Sequence, residues 1–224
     1  MGKNGVLAVC NTVVLTLFGA TLDVAAFVWI AENQIGFLNQ FEMPFWLAAL
    51  IASIPFDAWL YVWHQLNHVL PFFWRFHQVH YSDLKMDFSI ALRFHPGEIL
   101  FSSIVNIVVY AILGISIENL VIDKIVFNIK VLWNHSNVAL SEKWDWLLRA
   151  ALVSPSMHRV HHSMKVKEIN SNYSSVRSIW DCLFGSYRFS GPKKIVFGLD
   201  YDREAEEKTI ARLLSRPFKP KNDR

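Results

Sequence analysis

Long apolar stretches alternate with polar, histidine-bearing ones along this chain. Residues 5–30 (GVLAVCNTVVLTLFGATLDVAAFVWI) are apolar except for a single charge, Asp23. As a helix this run reaches about 39 Å, enough to cross a hydrocarbon core of about 30 Å with tilt. It is too long for the apolar region of a signal peptide, and no small-residue cleavage site follows it. A second run, 43–63, contains Pro55, which predicts a kink, and Asp57. A third spans 97–117. A fourth, 118–140, is interrupted by Asp123, Lys124 and Lys130 and reads as an interfacial or re-entrant helix. Residues 141–224 are soluble in character. Within them 203–216 (REAEEKTIARLLSR) predicts an amphipathic helix, followed by a disordered basic tail.

The pattern predicts an all-α integral membrane bundle of about four apolar helices under a histidine-rich helical cap. The membrane region is 1–140 and the cap 141–224. Seventeen Phe and nine Trp fit lipid contact and interfacial belts. The loop at 31–42 has Glu32 and Glu42 but no Lys or Arg, as a non-cytoplasmic loop would. Residues 1–140 carry six basic and nine acidic side chains, and residues 141–224 carry sixteen and ten. A basic soluble face beside a membrane favours the cytoplasmic side and anionic headgroups. The basic residues are scattered and form no recognition helix, which argues against nucleic acid as a partner.

Eight of the nine histidines fall into metal-ligand spacings, near the ends of the apolar runs. His64 and His68 are four apart, which on a helix puts both on one face. Tyr61 and Asp57 lie on the same stripe. Asp57 is therefore a candidate carboxylate partner for His64 or for a histidine on a facing helix. His77 and His80 are three apart and predict a shared face. His158, His161 and His162 predict three imidazoles on one helical face, with Ser156 as a candidate cap beside Pro155. His135 ends the fourth apolar run, in reach of the same place. His95 precedes Pro96 and reads equally as an outer ligand or as structural. Eight imidazoles exceed the needs of one tetrahedral zinc and suit two metal ions with open positions.

The three clusters resemble the histidine boxes of the fatty acid hydroxylase / sterol desaturase superfamily of membrane di-iron oxygenases. The stretches LRFHPGE, NHSNVAL, SPSMHRVHHS, NSNYS and WDCLFGSYR also resemble its bacterial branch, over about residues 40–190. The resemblance implies His64, His68, His77, His80, His135, His158, His161 and His162 as metal ligands. It further implies two Fe ions, O2 as co-substrate and a lipid substrate, fatty acyl or sterol-like, that is hydroxylated or desaturated. A bacterial inner-membrane location with a cytoplasmic site follows. The second box departs from the family's His-x-x-His-His: Tyr81 stands in the final position. Tyr81 is then a substituted ligand, a hydrogen-bond donor at the reacting centre or a sign of weakened activity. The alternative function is a catalytically impaired metal- or lipid-binding membrane protein. Ser156 is a smaller departure, where relatives have Asp.

Other chemistries lack their residues. Cys10 and Cys182 are expected to be free thiols, and without Cys-x-x-Cys neither a zinc ribbon nor iron–sulfur ligation is available. There is no His-Glu-x-x-His for zinc hydrolysis and no Gly-x-Ser-x-Gly elbow. No Gly-x-Gly-x-x-Gly or Walker sequence occurs. Reducing equivalents are thus expected from an external donor, a ferredoxin or b-type cytochrome with its reductase.

Overall fold

A computed structural model describes residues 2–190, 195–204 and 209–219. Among them there is no β-strand, only the isolated bridges Leu152–Arg177 and Ser163–Phe197. The first apolar run forms α1 (Gly2–Val14), a π-helical turn (Leu15–Gly19) and α2 (Ala20–Glu32), 31 residues in all. The second forms α3 (Phe45–Val69), which continues through Pro55. It also extends past the expected boundary to include His64 and His68. Nothing stops it before Leu70, which is extended because Pro71 follows. Pro71 then occupies the first turn of α4 (Pro71–His77).

The third run forms α5 (Pro96–Leu113), ended by Gly114 in the left-handed conformation (φ +71°). Gly36 (φ +99°) packs against that turn, and a Cβ there would lie 2.2 Å from the Gly114 nitrogen. The fourth run is a continuous helix, α6 (Ile117–Asn134), whose N-terminus Ser116 caps. Its charges weaken the apolar pattern but point to partners inside the protein. Lys124 Nζ meets Asp23 Oδ2 at 2.9 Å, and Lys130 Nζ donates to the Val153 carbonyl at 2.8 Å. In a low-dielectric surround such polar groups persist only when partnered.

Among the described residues three helical stretches are long and apolar enough to cross a membrane: Gly2–Glu32, Phe45–Val69 and Pro96–Leu113. Their large side chains face outward, with Leu17 62% exposed and Ile112 64%. α6 follows suit at Ile129, 61% exposed. In water this surface would be costly; against lipid it is the contact surface. The chain is an all-α, integral membrane bundle. Inside it Phe27, Phe56 and Tyr110 stack at the centre of an apolar core with Ile30, Leu38 and Leu120.

The later segments cover the end of the bundle where α3 and α6 finish. They comprise α7 (Glu142–Arg149), α8 (Pro155–His161), α9 (Val166–Ile169), α10 (Ile179–Leu183) and α11 (Ile210–Ser215). The amphipathic helix expected over 203–216 is thus shorter. Residues 205–208 and 220–224 lie outside the described residues, and Arg216–Phe218 form a 3-10 turn where the basic tail was expected to begin. The α8 cap is Ser154, whose side chain accepts from the Met157 N–H, and not Ser156. Ser156 instead donates to Asp145 Oδ1 at 2.6 Å. Cys10 and Cys182 are both free.

Asp57 joins this cap to the bundle. Its Oδ2 accepts from Trp180 Nε1 at 2.8 Å and from the Arg177 backbone N–H and guanidinium at 3.3 Å. Its bonds therefore go to the cap and not to a histidine, a departure from the partnership expected for it. Asp57→Asn is expected to lower stability by about 1–3 kcal/mol, the range for disturbing a buried polar partnership. Bound metal should be unchanged, as read by thermal melting in detergent alongside elemental analysis.

Candidate metal centre

The fold gathers the seven boxed histidines and His135 under the bundle as two adjoining sets. The first is His80, His135, His158 and His162, all buried, with ligand atoms within 4.8 Å of one another. His135 Nε2 lies 3.1 Å from His80 Nε2, 3.1 Å from His158 Nε2 and 3.2 Å from His162 Nε2. His158 and His162 Nε2 are 3.2 Å apart. The second set is His64, His68 and His77. His161 joins it, with Nε2 3.2 Å from His64 Nε2.

Two boxes are divided between the sets, contrary to the single faces that their spacings predicted. α4 ends at His77 and the chain tightens into a 3-10 turn at His80–Ser82, so His77 and His80 diverge. In the third box α8 ends at His161 and His162 is its C-cap. There the four-residue pair His158 and His162 stays together, and His161 turns to the second set. His64 and His68, both within the last turns of α3, keep their shared face.

The outer nitrogens fix how the rings point. His135 Nδ1–H donates to the Val131 carbonyl at 2.7 Å and His64 Nδ1–H to Tyr173 O at 2.6 Å. His161 Nδ1–H donates to Ser171 O at 2.5 Å, and His77 Nδ1–H to Glu98 Oε1 at 2.6 Å. A neutral imidazole has one N–H, so each of these four presents a bare Nε2 to the centre. Burial favours the neutral form of five of the eight rings. It pulls His135 down to about 4 and His161 to about 3, and sets His80, His158 and His162 well below the usual histidine value. These are the protonation states that metal binding requires.

This donor set fits metal ions. Four nitrogens around one ion, each at about 2.0–2.1 Å, would be about 3.3 Å apart, close to the spacing in the first set. In the second set His77 Nε2 is buried with no hydrogen-bond partner among the described residues.

Several residues that hold the rings in place carried no obvious signal in the sequence. Asn172 adopts a left-handed conformation (φ +54°), and the carbonyls of Ser171 and Tyr173 on either side of it serve His161 and His64. Its side chain is tied to the Met157 carbonyl and to the backbone of Arg188. Asp181 holds the same loop through the N–H groups of Tyr173 (2.7 Å) and Ser174 (3.0 Å). Glu98 sits in the first turn of α5, and Arg93, fully buried, pins the second box through Val79 O and Ser82 Oγ. These residues lie in the segments LRFHPGE, NSNYS and WDCLFGSYR, but only the tertiary contacts reveal their roles. His95 joins neither set. It accepts from the Gly97 N–H at the start of α5 and donates from Nε2 to Leu214 O at 3.1 Å, a structural role.

A cavity of about 310 Å³ adjoins the histidines. His64, His77, His80, His135 and His158 line it, and Phe56, Leu60, Trp63, Ile99, Phe127 and Val131 continue it between α3, α5 and α6.

Glu98→Gln is expected to weaken metal binding at the His64, His68 and His77 set by about 10–100-fold, the usual cost of losing a carboxylate behind a ligating imidazole. The set around His135 should keep its affinity. Metal titration against a competing chelator separates the two.

Comparison with known proteins agrees with this geometry. A family model described as fatty acid hydroxylase matches residues 49–186. The human alkylglycerol monooxygenase is 26% identical over 193 residues, covering 83% of this chain and 40% of its own length. The zebrafish (Danio rerio) alkylglycerol monooxygenase is 29% identical over 190 residues, covering 81% and 39%. The Rhizobium tropici ornithine lipid hydroxylase OlsE is 26% identical over 161 residues, covering 70% and 48%. The chain thus spans less than half the length of these relatives, and no solved structure matches it. With the histidine sets and the matched segment coinciding, the chain belongs to the fatty acid hydroxylase family.

Proposed function

We propose that this protein is an O2-dependent, di-iron lipid oxidoreductase that hydroxylates or desaturates a C–H bond of a membrane lipid. The observation that carries the reading is the contact between two buried sets of neutral imidazoles and an apolar cavity between membrane helices. The relatives' names support a lipid substrate, an alkylglycerol in one case and an ornithine lipid in the other. Support for an inner-membrane setting with the centre at the cytoplasmic face comes from the basic cap and from a loop at 33–44 without Lys or Arg.

Two irons, when bound, would supply activation of O2 using two electrons from an external ferredoxin or b-type cytochrome system. His80, His135, His158 and His162 would hold one, and His64, His68, His77 and His161 the other. The rest of the work is the protein's own. Desolvation favours the neutral, donating form of His80, His135, His158, His161 and His162. The Val131, Ser171 and Tyr173 carbonyls and Glu98 keep the rings aimed, so little reorganisation is needed at the moment of reaction. The apolar wall of Leu60, Trp63, Phe127 and Val131 would seat the hydrocarbon with its reacting carbon beside the histidines. A hydrocarbon chain seated in the cavity would keep water from the oxidising centre and so protect it from side reactions.

The test is purified protein loaded anaerobically with Fe(II), supplied with an electron donor and O2, and presented with alkylglycerols and ornithine lipids. The expected product gains one oxygen atom or loses two hydrogens by mass spectrometry. Absence of any oxidised lipid from protein holding two irons would leave the non-catalytic binding reading in its place. His161→Ala is expected to lose at least one iron per chain and all turnover; full activity with both irons retained would refute the ligand assignment.

A further inference from the structure

The second histidine set is built around an oxygen atom. Tyr81 is 2% exposed, and its ring stacks on His162 of the first set with centroids 4.6 Å apart. Its hydroxyl reaches into the second set. Oη lies 3.0 Å from His68 Nε2 and 3.3 Å from His64 Nε2, and makes a short contact with His161 Nε2. Three imidazole nitrogens thus converge on one phenol.

Hydrogen bonding alone does not account for this arrangement. His64 and His161 spend their single N–H on the Tyr173 and Ser171 carbonyls, so both present lone pairs to Oη. His68 Nδ1 faces the Asn170 side-chain oxygen at 3.4 Å, which turns its lone pair inward as well. The phenol has one proton and satisfies one of the three. The other two lone pairs would face oxygen lone pairs in a buried site, an arrangement that is costly unless a cation lies among them.

We propose that Tyr81 Oη is itself a metal ligand, so that the second position is an imidazole-and-phenolate site of His64, His68, His77, His161 and Tyr81. The first position, around His135, is imidazole only. This rests on the two-metal reading above and adds a chemical asymmetry to it. On binding ferric iron the Tyr81 O–H bond breaks and an iron–oxygen bond forms. The proton leaves to solvent and no electron is transferred. An anionic oxygen favours the ferric over the ferrous ion, so the two positions would differ in redox preference.

The experiment uses the full chain in detergent, loaded anaerobically with Fe(II) and then oxidised with a one-electron oxidant. Iron per chain, visible absorption and resonance Raman scattering are measured together. The expected result is an intense phenolate-to-iron charge-transfer band with tyrosine ring modes enhanced in the Raman spectrum. Tyr81→Phe should abolish both while keeping the iron bound by the His135 set, which also reports that the variant is folded. Tyr81→His should hold two irons without the band.

Other results would overturn the proposal in distinguishable ways. Two irons per wild-type chain with no phenolate band would remove Tyr81 from the ligand set and leave the two-metal reading intact. One iron and no band would mean that Tyr81 closes the second position. A band that survives in Tyr81→Phe would assign it to another tyrosine. No bound iron at all would sink the metal reading together with this one.

Discussion

Eight imidazoles can share one water-poor space only if they remain neutral and are held so that their lone pairs converge. That constraint organises the protein. Burial disfavours the charged form of His80, His135, His158, His161 and His162, and the orienting bonds choose which nitrogen keeps the proton. The Val131 carbonyl does this for His135, Ser171 for His161, Tyr173 for His64 and the Glu98 carboxylate for His77. Much of the remaining polar structure serves these four acceptors. Asp181 and Asn172 hold the loop that offers two of them, and Arg93 holds the turn that carries His80. Ser154 caps the helix that delivers His158 and His161.

The membrane imposes a second constraint, and α6 shows how the two meet. One of its faces is apolar and exposed at Val121, Ile125 and Ile129, while Lys130 turns inward to the Val153 carbonyl and the half-exposed Lys124 reaches Asp23. The same helix ends in the backbone that orients His135. Tryptophans on α3 follow similar logic. Trp59 and Trp63 bury their rings beside α5 and direct their N–H groups to Asn106 and Ser102. These two indole N–H groups are thus satisfied within the bundle, where α3 and α5 together line the cavity.

Tyr81 stands where the resemblance in sequence leads one to expect the last histidine of the second box. The tyrosine is not displaced to the periphery: its ring stacks against one histidine set and its hydroxyl enters the other. The substitution therefore makes two otherwise similar sets chemically different.

The sequence alone determined the apolar periodicity and the residue types available for chemistry. From these came the membrane bundle, its helix positions to within a few residues, and the histidines that converge. These features are legible because hydropathy and imidazole spacing are local properties. The assignment of histidines to sets was not legible. It depends on where α4 stops, at His77, before the turn that carries His80, and on how α8 packs, since His158 and His161 share that helix and still go to different sets. The sequence also suggested Asp57 as a histidine's partner, whereas the fold gives it Arg177 and Trp180, 120 or more positions away. The carboxylate that does face a histidine is Glu98, on another helix. Which carbonyl, carboxylate or phenol meets each ring is decided by chain segments distant in sequence, and only tertiary packing brings them together.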